Sequence, residues 1–122
     1  MYNDKIMEHF KNPRHVGQID QADGIGEAGN AAKGDVMRMH LKIENGIITA
    51  AMHQTFGSVV AIAVSSIASE MIIGKTVDEA YQITREQVSD ALDGIPPDKM
   101  DCSNMAPAAI KSAIDNFRAR QG

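Results

Sequence analysis

Hydrophobic and polar residues alternate most regularly over residues 36–44, where Met37, Met39, Leu41 and Ile43 are interleaved with Arg38, His40, Lys42 and Glu44. A period of two marks a strand with one buried face. Asn45-Gly46 follows at once, a pair suited to the two-residue hairpin turn, and residues 47–56 read as the return strand. Such a turn sets Met37 opposite Gln54, Met39 opposite Met52, Leu41 opposite Ala50 and Ile43 opposite Ile48. That register gathers the apolar side chains, methionines included, on the face that must be buried. On the same register His40 and His53 fall on the polar face and are expected to face solvent.

Residues 58–73 are apolar most of the way round, which predicts a largely buried helix. Ser58 suits its N-cap and Gly74 the position just past its end. Residues 2–11 predict a first helix with Ile6, Met7 and Phe10 on one side. It ends at Asn12-Pro13, because a residue before proline is pushed out of the helical region. Residues 14–32 are rich in Gly, Ala, Asp and Gln and read as loop, with a short edge strand near residues 24–28. Thr76-Val77-Asp78-Glu79 and Thr84-Arg85-Glu86-Gln87 are capping boxes, each opening a short helix, and Gly94 closes the second. Two prolines make residues 95–99 an extended surface loop. Residues 103–120 predict a final helix with Ile110, Ala113, Ile114 and Phe117 as its buried stripe, and with Arg118 and Arg120 where the helix dipole favours cations. The pattern is that of a single α+β domain over residues 1–122, a small antiparallel sheet with helices packed on one face.

Composition supports a chain that folds unaided: 122 residues, 43% hydrophobic, enough to bury a core without disulfides or a structural metal. The net charge is −4 and no run of Lys or Arg appears, which speaks against a nucleic-acid partner. The first residues lack the apolar stretch of a secretory signal. The longest apolar run is broken by Ser65 and Ser66 and is too short to span a bilayer. A cytosolic protein with no membrane association is therefore expected. Cys102 is the single cysteine, so no intrachain disulfide and no all-thiolate metal site can form within one chain. Gly24-Ile25-Gly26 lacks the third glycine and the following helix of a phosphate loop. Nothing else suggests a hydrolase, nucleotide-binding or transferase site, and the chain is not expected to be an enzyme. His9 and His15 flank the end of the first helix without a recognisable constellation.

Several segments, in order along nearly the whole chain, match one family. Asn12-Pro13-Arg14-His15-Val16-Gly17, Gly34-Asp35-Val36-Met37, Thr55-Phe56-Gly57, Ile95-Pro96-Pro97-Asp98-Lys99 and Cys102-Ser103 followed by Ala109-Ile110-Lys111 resemble the iron–sulfur cluster assembly scaffolds, the IscU type and the N-terminal domain of NifU. The resemblance implies a fold of the kind read above and cysteine desulfurase and an Hsp70-type chaperone as partners. It implies [2Fe–2S] or zinc as cargo, and residues 95–99 as the loop that the chaperone reads. In that loop Asp98 replaces an apolar family residue.

The family places three cysteines at one end of the sheet, with an aspartate near the first and often a histidine near the third. By this resemblance Lys33 and Ser58 stand at the first two cysteine positions, Asp101 at the histidine position, and Asp35 and Cys102 are kept. A [2Fe–2S] cluster needs about four terminal ligands, mostly thiolates. A protonated lysine has no lone pair to give, and a serine hydroxyl holds its proton tightly. The family's cluster is therefore not expected on one chain. The Lys33 ammonium is expected at the vacated cation position, paired with Asp35 and Asp101. Read from the residues alone, Lys33 is a solvated loop lysine and Ser58 a helix cap. Cys102 is either an inert small residue or a sulfur acceptor whose pKa shift has no sign legible in the sequence. Three functions follow. The chain is a scaffold-like protein binding assembly partners, with at most weak metal or sulfur at Cys102; or a mononuclear zinc or iron protein using Asp35, Asp101 and Cys102; or a non-catalytic interaction module.

Overall fold

The computed structural model describes residues 2–30, 32 and 34–121. Helix α1 spans Asp4–Lys11. Strands β1 (Gly24–Asn30), β2 (Asp35–Glu44) and β3 (Ile47–Phe56) form an antiparallel sheet in that order. Helices α2 (Val59–Ile72), α3 (Val77–Tyr81) and α4 (Arg85–Ala91) follow. A 3₁₀ helix, Pro97–Asn104, leads into α5, Met105–Gln121.

The first helix starts at Asp4, two residues later than the sequence predicts, whereas both predicted capping boxes hold. Asn3 caps α1 by accepting the Ile6 amide, and its side-chain nitrogen donates to the Leu92 carbonyl at 2.9 Å, tying the chain start to the end of α4. Thr76 and Thr84 both form complete capping boxes, with Glu79 and Gln87 respectively. The proline-containing segment is different: only its start is extended. Ile95 is buried, and Pro97 opens the 3₁₀ helix, a position where its missing N–H costs nothing.

Met37, Met39, Leu41 and Ile43 are buried against the helices, as the alternation predicts. The partner register departs from the expected one. Ile43 pairs with Ile48, but Thr49 is an extra residue, so Lys42 pairs with Ala50 and then Leu41 with Ala51, Met39 with His53 and Met37 with Thr55. A bulge of this kind turns every later side chain of the strand to the other face. Ala51, His53 and Thr55 therefore join the helix-covered face, and Met52 stands beside His40 on the opposite one. The expectation that His40 and His53 face solvent is thus overturned: they are 5% and 1% exposed. His53 is buried because α2 meets it with serines. His40 is buried because of the segment before β1. That segment first lies alongside β3, where the His53 N–H donates to the His15 carbonyl and the Gly17 N–H to the His53 carbonyl. It then reaches β2, where the Asp23 N–H donates to the Leu41 carbonyl. Gly17 approaches the Met52 side chain on the way, so the strap crosses the sheet on the His40 face.

Helix α5 lies against β1 with almost no spacer. A Cβ on Gly24 or Gly26 would fall inside the backbone of α5 at Ala113. These glycines, which lie in the edge strand the sequence predicts, make the close approach possible. The core between sheet and helices is aliphatic, with Val60, Val64, Ile72, Leu92, Ile110 and Ile114 among its largest fully buried members.

Candidate functional site

One end of the sheet carries a cleft of about 650 Å³, walled in part by Asp35, Ser58, Lys99, Asp101 and Cys102. Asp35 and Ser58 stand at element boundaries, and the other three lie within one short helix. Asp35 opens β2, Ser58 is the N-cap of α2, and Cys102 lies in the 3₁₀ helix. These residues are far apart in sequence, and only the fold brings them together.

Asp35 is the hub. Its Oδ1 accepts the Ser58 backbone N–H at 3.0 Å, and the Cys102 Sγ donates to its Oδ2 at 3.7 Å. The Ser58 hydroxyl lies 3.8 Å from the same sulfur and accepts the Ala61 N–H at 3.4 Å. Gly57 leaves the carboxylate its place, since a Cβ there would collide with Asp35 Oδ1. The carboxylate sits where the N-terminus of α2 offers unpaired amides and the positive end of the helix dipole.

Burial pushes the Cys102 thiol above its ordinary pKa, and the negative charge of Asp35 and the hydrogen bond to it push the same way. The Ser58 hydroxyl and the Lys99 charge pull down without reversing the shift. Cys102 is thus a thiol, not a thiolate, near neutral pH, and the sign left open by the sequence is upward.

Asp101 is exposed, on the rim of the cleft. Among the described residues no group of three or more His, Cys, Asp or Glu side chains is arranged to hold a metal ion. The pairing expected of Lys33 lies outside the described residues. Of the predicted chaperone loop, Pro97 and Asp98 are exposed and Ile95 is buried.

The sequence reading missed the polar system behind the cleft. His53 Nε2 lies 3.0 Å from the Arg14 carbonyl oxygen and Nδ1 3.0 Å from Thr55 Oγ1, and Thr55 donates to Ser65 at 2.7 Å. His9 Nδ1 lies 2.7 Å from Ser66 Oγ, which also accepts the Arg14 N–H. A signal was present: Ser65, Ser66 and Ser69 form a polar stripe on a helix too apolar to be exposed, and buried hydroxyls require partners.

The described residues thus form a three-stranded antiparallel sheet with helices on one face and a polar cleft at its end, and no helix among them is long and apolar enough to cross a membrane. The family model for the NifU-like N-terminal domain matches residues 1–122. The iron–sulfur cluster assembly scaffold protein IscU 1 of Archaeoglobus fulgidus is 48% identical over 122 residues, covering 100% of this chain and 80% of that protein. Two solved structures share the fold. A putative iron–sulfur cluster assembly scaffold protein for the SUF system from Fervidobacterium islandicum has a TM-score of 0.78 at 20% identity, over 93% of this chain and 96% of the other. A nitrogen-fixing NifU-like protein from Brucella abortus, N-terminal part, has a TM-score of 0.77 at 19% identity, over 97% and 94%. The chain belongs to the NifU-like N-terminal domain family of iron–sulfur scaffold proteins. Within it, this is a member with one cysteine and a degenerate ligand site.

The donor set does not fit a [2Fe–2S] cluster on one chain. The chain has a single cysteine. Among the described residues, its sulfur is a protonated donor, Ser58 Oγ accepts the Ala61 amide, and both Asp35 oxygens already accept hydrogen bonds. Cluster ligation asks instead for about four deprotonated, mostly sulfur, ligands.

Proposed function

We propose that this chain serves iron–sulfur assembly as a partner-binding member of its family that does not hold a cluster by itself. The observation that supports this reading is Asp35 bonded at once to the Ser58 amide and the Cys102 thiol. In that arrangement the carboxylate holds the proton of the one thiol and a free amide of α2, so a metal meeting Cys102 would have to displace that proton. The overall fold is shared with solved structures of this kind. A cysteine desulfurase and an Hsp70-type chaperone are the partners this reading assigns, the second through Pro97, Asp98 and Lys99. Zinc or iron at Asp35, Asp101 and Cys102 is the lesser reading, because Asp101 lies on the exposed rim and no three such side chains among the described residues are arranged to hold a metal ion.

Anaerobic incubation with ferrous iron and sulfide, followed by visible absorption, tests the first part. The expected spectrum lacks the charge-transfer bands of a cluster and does not change on Cys102→Ser. Stable bands on the monomer that vanish in Cys102→Ser defeat the reading. Co-purification with a cysteine desulfurase tests the second part. Retention on an immobilised desulfurase is expected, and its absence at micromolar concentration removes the assigned role.

A further inference from the structure

The side chain of His53 is 1% exposed, and both ring nitrogens face hydrogen-bond partners. Arg14 O, His53, Thr55, Ser65 and Ala61 O form a row joined by four contacts of 3.0, 3.0, 2.7 and 2.8 Å. Both ends of the row are carbonyl oxygens, which only accept. Each contact needs one hydrogen. Thr55 and Ser65 supply one each. A neutral imidazole supplies one more, and one contact is left with lone pair against lone pair. An imidazolium supplies two, and all four contacts are filled.

We infer that His53 is a proton-operated latch between the strap at Arg14 and the first turns of α2. When protonated, the ring holds the Arg14 carbonyl and the Thr55–Ser65 chain together. When neutral, it holds one at a time. With hydrogen on Nε2 it keeps Arg14, but Thr55 must then turn to Nδ1 and leave Ser65. With hydrogen on Nδ1 it keeps the chain into α2, but a lone pair faces the Arg14 oxygen and that end of the strap loses its side-chain tie. The strap is otherwise held there by the backbone bonds of His15 and Gly17 to His53, so the latch acts on a segment already docked.

The groups around the ring set no competing ion pair. From the strap come His15 and the Arg14 guanidinium, the latter engaged by Glu8 and Glu70. From α2 come the uncharged Ser65 and Ser66, with His9 bonded to Ser66. From β2 comes Met39. Burial holds the His53 pKa below its ordinary value, His15 adds to this, and the bond to the Arg14 carbonyl opposes it. The unmet contact of the neutral form is a further push toward the charged form, and it can be removed without touching the ring.

Ser65→Ala and Thr55→Val, both near-isosteric, do this. In Ser65→Ala, Thr55 is free to donate to Nδ1, and a neutral ring with hydrogen on Nε2 fills every remaining contact. In Thr55→Val, Nδ1 has no partner, and the Nε2–H bond to Arg14 is satisfied. Nitrogen-detected NMR of histidine-labelled full-length protein between about pH 5 and pH 8 reads both protonation and tautomer. The expected result is a protonation equilibrium of His53 displaced about tenfold toward the neutral form in either variant. The neutral wild type should show two tautomers in exchange, and the variants only the Nε2–H tautomer. An unchanged equilibrium in both folded variants, or a single fixed tautomer in the neutral wild type, overturns the latch.

Discussion

Asp35 Oδ1 and the amide nitrogen of Ser58 stand 3.0 Å apart, so a side chain from the start of β2 caps a helix that begins more than twenty positions later. The same carboxylate, through its other oxygen, takes the Cys102 thiol. One residue therefore meets both the N-terminus of α2 and the cysteine, whose thiol is kept protonated by burial first and by this carboxylate in addition.

Asp35→Asn separates these two roles. The amide oxygen still accepts the Ser58 N–H, while the charge at the helix terminus is lost. The expected cost is about 1 kcal/mol by chemical denaturation. The thiol loses a neighbour that raises its pKa, so alkylation of Cys102 at fixed, mildly alkaline pH should speed up relative to wild type. An alkylation rate no faster than wild type would show that Asp35 does not govern the thiol.

Gly26→Ala examines the contact between β1 and α5. The added methyl group meets the backbone of α5 at Ala113, Ala109 and Ser112 and has no flexible side chain to displace. Overpacking of this kind costs about 1–3 kcal/mol, and a backbone obstacle places the expected loss at the upper end. Thermal unfolding followed by circular dichroism reads it. Gly34→Ala, where nothing among the described residues lies within 4 Å of the added carbon but the backbone has φ of 77°, separates backbone strain from collision and should cost less.

His40 offers the opposite case. Both ring nitrogens are buried without a partner among the described residues, between Ile25 and Met52 on the strap-covered face. Replacing an unsatisfied buried polar group by an apolar one of similar volume removes its desolvation cost, about 1–3 kcal/mol. His40→Leu is expected to raise the denaturation midpoint. A lowered midpoint would mean that the imidazole has a partner in solution, such as a bound water under the strap.

How much of this could be seen in the residues varies with the distance over which each feature is decided. Residues 36–44 announce their strand because alternation is local and one face is strongly apolar. The bulge at Thr49 was not visible, because Ala50 and Ala51 are both small and the return strand tolerates a slip of one position without exposing a large side chain. Residues 95–99 looked extended because proline resists helices, yet proline at the first position of a 3₁₀ turn is well tolerated. The edge strand was short in the reading and longer in the fold, and its glycines serve the approach of α5. The convergence of Asp35, Ser58 and Cys102 has no local signature at all. It was reached through family resemblance, and the hydrogen bonds that close the site came from the structure. The burial of His40 depends on a strap whose path is a tertiary choice.

Acid should weaken the fold through two histidines. Burial is the foremost reason that the His9 and His53 pKa values fall below the ordinary 6.5 in the native state. Between each lowered value and 6.5 the unfolded chain binds more protons than the folded one, so stability rises with pH across that interval. The contribution of each is complete above about pH 6.5, where both states are neutral, and is lost as pH falls toward the native value. Urea midpoints measured from about pH 7.5 down to about pH 5 should therefore decline, with the fall beginning near 6.5. His9→Gln and His53→Phe should each flatten part of the slope. Both variants together should remove most of it, because burial lowers the pKa of both rings. A slope unchanged in the double variant would place the acid sensitivity on carboxylates instead, with Asp35 at the head of α2 the next residue to substitute.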